Sequence, residues 1–160
     1  MKRNDLIELM PKDKGDIEAA RTMVELGYPT VSPVLRDMLL WLRVHDSPVA
    51  DIFAKFLADI TPRPVDLVAK HIGMSSGTLR NRILVDILRE WPTDAIAPLT
   101  MNLTTLATHA DLWNNDLECF RLILKHDLAE KAWVKQWLDG RKKQAADRVR
   151  LFEELEKTIK

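Results

Sequence analysis

One proline-punctuated segment recurs three times and constrains what this chain can fold into. It reads Gly27-Tyr28-Pro29-Thr30-Val31-Ser32-Pro33-Val34-Leu35, then Ile60-Thr61-Pro62-Arg63-Pro64-Val65-Asp66-Leu67-Val68, then Trp91-Pro92-Thr93-Asp94-Ala95-Ile96-Ala97-Pro98-Leu99. The leading prolines fall 33 and then 30 residues apart. Proline ends a helix from within but suits the first position of a new one. Each segment therefore closes one apolar-periodic stretch and opens another. A period of roughly 30 to 45 residues holding two helices is the signature of an α-solenoid.

The stretches between these segments carry helical spacing. Asp13 or Asp16 can cap a helix on which Ile17, Ala20 and Val24 share one side, and Gly27 ends it. Ser32-Pro33 and Ser47-Pro48 each offer a cap followed by proline. Val34, Leu35, Met38, Leu39 and Leu42 form one stripe; Val49, Ile52, Phe53, Phe56, Leu57 and Ile60 form the cleanest one. Val65 to Ile72 follows, with Gly73 as its stop. Leu79, Ile83, Leu84, Ile87, Leu88 and Trp91 make the next stripe. Thr93 is read as a cap, with a distortion expected near Pro98. Ala110 to Asn114 is read as a loop, Asn115 with Glu118 as a capping-box-like pair, and Asp127 as the cap of a helix reaching Trp137. Gly140 is expected to break or bend the chain before a last helix through Ala145, Val149, Phe152, Leu155 and Ile159. No period-two run of β-branched residues interrupts the pattern, and no linker divides residues 1–160, so a single all-α domain is expected.

Charge and cysteine content narrow the function classes. Lys+Arg and Asp+Glu balance at 24 each. A dedicated nucleic-acid binder usually carries a basic excess or stripe. The one basic cluster, Arg141-Lys142-Lys143 with Arg148 and Arg150, is interleaved with Asp139, Asp147, Glu153, Glu154 and Glu156 and reads as a solvated helix face. A single cysteine, Cys119, excludes an internal disulfide and a cysteine zinc site; its apolar neighbours predict a buried thiol. The amino-terminal run is too short and too charged for a signal peptide, and no stretch approaches the ~20 apolar residues of a membrane span, so a cytoplasmic location is expected.

The opening run Leu9-Met10-Pro11-Lys12-Asp13-Lys14-Gly15-Asp16-Ile17-Glu18-Ala19-Ala20 adds a resemblance. It is followed by Glu25-Leu26-Gly27-Tyr28-Pro29, Pro33-Val34-Leu35, Leu40-Trp41-Leu42 and Pro48-Val49-Ala50. This order resembles a bacterial family catalogued as a domain of unknown function, whose members open with Leu-x-Pro-Lys-Asp-Lys-x-Asp. The match is good over roughly residues 6 to 60 and loose beyond. The resemblance implies HEAT-type helical repeats and no particular activity. Where members of that family carry aromatics near the fifth helix, this chain reads Gly77-Thr78-Leu79-Arg80-Asn81-Arg82.

No motif of catalysis stands out. Five glycines rule out a glycine-rich phosphate loop or a Gly-x-Ser-x-Gly elbow. The four histidines, His45, His71, His109 and His126, offer no pair three or four apart, so no helix holds a local metal site. His45-Asp46, beside Trp41 and Arg43, has a base and a carboxylate but no accompanying nucleophile. Lys12-Asp13-Lys14-x-Asp16 reads as a helix start, with carboxylates on the positive end. Arg80 and Arg82 flank Asn81; they pair with neighbouring acids, face solvent or hold an anionic group of a partner. Trp91, Trp133 and Trp137 are spaced as core residues. Trp41, between Leu40 and Leu42, is either sandwiched inside or lines a groove, and Trp113 falls in a predicted loop, where an exposed indole is a frequent interaction anchor.

These readings converge on a short α-solenoid of HEAT-like antiparallel helix pairs, about eight helices, acting as a non-catalytic protein-binding module without cofactor or metal. Trp41, Arg43, His45, Asp46, Arg80, Arg82 and Trp113 are the expected partner-binding residues. A toxin-neutralising, immunity-like protein is one specific form, which the balanced charge does not support. Two alternatives come from other classes. A HEAT-like nucleic-acid binder or DNA-glycosylase relative would draw on Trp41, Asp46, Arg80 and Arg82. A structural homo-oligomer would use the surplus of Trp and Leu as a self-interface.

Overall fold

The computed structural model describes residues 1–75, 77–109, 111 and 113–158. Ser76, Ala110, Leu112 and Ile159, which the sequence assigns to loops or to the final helix, lie outside the described residues. Among those described, all regular structure is helical and falls into nine continuous runs. These are α1 (Arg3–Leu9), α2 (Ile17–Leu26), α3 (32–43), α4 (Pro48–Asp59), α5 (Val65–Met74), α6 (78–90), α7 (93–107), α8 (Asn115–Lys125) and α9 (Lys131–Thr158). Three runs are composite. Tight 3-10 turns begin and end α3 (Ser32–Val34 and Trp41–Arg43), and another interrupts α7 at Ala97–Leu99. A wide π turn, Ile83–Ile87, and a 3-10 turn, Leu88–Glu90, complete α6.

The start signals act through the backbone groups they free. Asp16 accepts from Ala19 N at 3.4 Å and from Lys12 N at 3.3 Å, while Asp13 accepts from Gly15 N at 2.8 Å. The acids of the opening motif are thus spent on its own turn. Ser47 accepts from Ala50 N at 3.2 Å with Pro48 at the first helical position. Gly27 closes α2 at φ +65°, a conformation most side chains avoid. Pro33 and Pro98 sit in the 3-10 turns, where no α-type hydrogen bond is lost. The first two proline segments touch: the Arg63 guanidinium lies 5.7 Å from the centre of the Tyr28 ring.

Several expected boundaries move. α5 runs through Gly73 to Met74, and α9 runs unbroken through Gly140. Thr93 is the first residue of α7 rather than its cap, and its hydroxyl bonds His126 Nδ1 at 2.9 Å. Asn115 and Glu118 form no capping box. Asp111 serves that helix end instead, its Oδ1 accepting from Asn115 N at 3.1 Å. Asp127 takes φ +52° in the turn before α9, which begins four residues later.

One apolar core runs the length of the body. α4 packs on α2, α3 and α6; α6 also meets α5 and α8; α7 packs on α5 and α8. Phe53, Leu57, Ile83, Leu84, Ile87 and Trp91 are among its buried side chains. Cys119 is buried as its neighbours predict, and burial pushes its thiol pKa up to about 12. Of the expected core tryptophans, Trp91 is buried and Trp133 half-buried, but Trp137 is 36% exposed and packs against Trp133. α9 docks on α8 through its first half only: Val134 is buried and Leu138 partly so, whereas residues 142–157 are exposed.

Candidate functional site

A groove runs between α4 and α6, and four of the seven expected site residues meet there. At one end His45, Asp46, Thr78, Asn81 and Trp113 line a space of about 520 Å³. Asp51, Arg82 and Asp86 also line that space and continue into a second one of about 760 Å³, which reaches Thr61 and Glu90.

The aromatic end is built from three chain segments. His45 follows the last turn of α3, and Asp46 turns the chain at φ +49°. His45 Nε2 lies 3.0 Å from the Thr78 hydroxyl at the start of α6. The imidazole stacks on Trp113, with ring centres 5.9 Å apart and planes 28° from parallel. Trp113 is held through its backbone: its N–H donates to Asp111 at 2.9 Å, and its carbonyl accepts from Asn81 Nδ2 at 3.4 Å. The indole lies across Gly77, where the chain has φ +63° and no Cβ intrudes. Trp113 remains 42% exposed.

Arg82 forms the middle. Its Nη2 donates to Asp51 on α4 at 2.5 Å and its Nε to Asp86, one turn on, at 2.6 Å. Burial works against the Arg82 charge, but the bonds to Asp86 and Asp51 outweigh it and raise the pKa above the ordinary guanidinium value. The π turn begins at the next residue, Ile83, and carries Asp86. Such turns accommodate one extra residue and re-aim the side chains around them. Five carboxylates (Asp46, Asp51, Asp59, Asp86, Glu90) line the two spaces against Lys55 and Arg82, so the groove is acidic on a neutral chain.

The other expected residues lie elsewhere. Arg80 points away from the groove: its Nε donates to the Ile72 carbonyl at 3.0 Å, and its Nη1 lies 3.8 Å from Asp111. It ties α6 to the end of α5. Trp41 is half-buried against Ile7, Met10, Leu40 and Val44, in a shallow apolar groove of its own. Arg43 is exposed beside Met74, Ser75 and Leu79. The sequence reading missed Asp51, Thr78, Asn81 and Asp86. Only the Arg82–Asp86 spacing, one helical turn, was available as a signal.

Residues 9–123 match the model of a family described as a domain of unknown function (DUF5071). The chain belongs to that family. The DUF5071 match starts at Leu9, the first residue of the opening motif, and ends inside α8. Every residue of the groove falls within it, and α9 lies beyond it. No curated protein and no solved structure matches the chain. Among the described residues no three His, Cys, Asp or Glu side chains gather as a metal would require, and no helix is long and apolar enough to cross a membrane.

Proposed function

We propose that this chain is a non-catalytic protein-binding module, a short HEAT-like array that takes a basic segment of another protein into the groove between α4 and α6. The observation that carries the reading is the convergence of an exposed, backbone-anchored indole, Trp113, with a row of carboxylates. An aromatic anchor next to complementary charge is the usual composition of an interaction hot spot. The HEAT-like arrangement is supported by helix contacts that run mainly between near neighbours along the chain.

The same charges argue against nucleic acid as the ligand, because an acidic groove repels phosphates. Catalysis finds little support in the His45–Thr78 pair. Among the described residues nothing hydrogen-bonds His45 Nδ1, so the third group that orients a base in a nucleophilic triad is missing. A module of this kind serves to regulate or neutralise the protein it holds.

The test is selection of peptides from a random library on the immobilised full chain, followed by calorimetric titration. The expected ligands are rich in Lys and Arg. Trp113→Ala weakens them at least about 10-fold, the loss typical of an anchor residue, and Asp86→Asn weakens them further. Lys12→Ala, on the opening turn and outside the groove, leaves binding unchanged. Ligands without basic residues, or binding indifferent to Trp113, would overturn the reading.

A further inference from the structure

We propose that the chain pairs with a second copy of itself through residues 142–158 of α9, the two helices running antiparallel. The face that docks α9 on the body carries Val134, Leu138 and Arg141. At 3.6 residues per turn the same face continues through Ala145, Val149 and Phe152. Here the body has ended: Val149 and Phe152 are each 55% exposed. A projecting helix of this length, about 25 Å, is marginal in water without a packed face.

Charge selects the occupant and its direction. The projecting half begins mainly basic, with Lys142, Lys143, Arg148 and Arg150 around Asp147, and ends mainly acidic, with Glu153, Glu154 and Glu156 before Lys157. A parallel copy would set like charges side by side. An antiparallel copy brings the basic half of each helix to the acidic half of the other, which is the self-complementarity a two-fold interface needs. Lys142 and Glu153 share one flank of the apolar face, and like flanks meet in an antiparallel pair. Lys142 of each copy therefore faces Glu153 of the other. A register centred between residues 148 and 149 also lays Phe152 over Ala145, large on small. It leaves one like-charged contact near the axis, Arg148 with Arg148, and each Arg148 is drawn over its own Phe152 ring at 5.8 Å.

A seam this short falls at the small end of specific interfaces, so the association is weak. Sedimentation of the full chain from about 5 to about 500 µM spans that regime. The apparent mass is expected to rise from 18.4 kDa toward twice that value. Phe152→Asp holds it at the monomer throughout, with unchanged circular dichroism of the body. Lys142→Glu weakens the pair, and adding Glu153→Lys restores it. In mixtures of the Ala145→Cys and Phe152→Cys variants, oxidation joins one variant to the other faster than to itself, and native Cys119, being buried, stays out of the reaction. Trp113→Ala leaves the association intact, which separates it from binding in the groove. A monomer across the whole range, a dimer indifferent to Phe152→Asp, or cross-links that favour like positions would overturn the proposal.

Discussion

The Arg141 Nε lies 3.3 Å from the Asp116 Oδ2, joining α9 to the first turn of α8 with both side chains largely out of water. Removing one member of a buried pair strands the other, which costs more than the pair contributes. Arg141→Ala is expected to destabilise the docking of α9 by about 3 kcal/mol. Replacing both partners, Arg141→Met with Asp116→Leu, recovers most of that loss. Urea denaturation of the three variants, with hydrogen exchange read along α9, checks both statements. A double variant as unstable as Arg141→Ala would refute the account.

Gly77 is required by what crosses it. A Cβ there would stand 3.1 Å from the Trp113 Nε1, on a backbone with φ +63° and ψ −137°. Gly77→Ala should cost about 1–3 kcal/mol from backbone strain and shift the indole emission as Trp113 is displaced. Thermal melts and fluorescence measure the two effects. An unshifted spectrum in a destabilised variant would leave strain alone as the cause.

His126 gives the stability a pH dependence. Its Nε2 is buried without a hydrogen-bond partner, and burial, then the Lys125 charge, lowers its pKa below 6.5. The unfolded chain takes up a proton near 6.5, while the folded one resists until lower pH. The unfolded state thus binds more protons in that window. Stability is complete above 6.5 and falls as pH drops through the folded value. Denaturation midpoints from about pH 8 to about pH 5 should show this slope, and His126→Gln should flatten it.

Cys119 is expected to be inert. Burial holds its thiol pKa at about 12, against which the charge of Arg80 works only in part. The thiolate is the reactive species. A thiol reagent at neutral pH should therefore label the protein only as it unfolds and label it completely in denaturant. Rapid labelling of the native chain would contradict the burial of this side chain.

Much of the fold was legible because the helices obey a local rule. The apolar stripe of Val49, Phe53, Phe56 and Leu57 and the start Ser47-Pro48 appear as read, since spacing and capping act within a few residues. What escaped the sequence depends on distant partners or on competition. Asn115 resembles a cap, but the Asp111 carboxylate takes the Asn115 N–H that the Glu118 side chain of a capping box would accept. Gly140 weakens a helix by about 1 kcal/mol, less than the rest of α9 contributes. The groove is illegible for a plainer reason: Asp51 and Arg82 sit 31 residues apart, on helices whose packing brings them together. His45 and Trp113 were singled out separately, and nothing in the sequence announced that their rings would stack.

Gly140 lies between the last apolar anchor of α9, Leu138, and its ionic one, Arg141, and nothing stands within 4 Å of where its Cβ would be. The backbone is therefore softest where the helix leaves the body, and a single ion pair acts as the latch that fixes the angle of the arm. Loss of the Arg141–Asp116 contact would free that arm to swing about Gly140. Two bodies linked through such arms would keep the length of their connection while losing its direction.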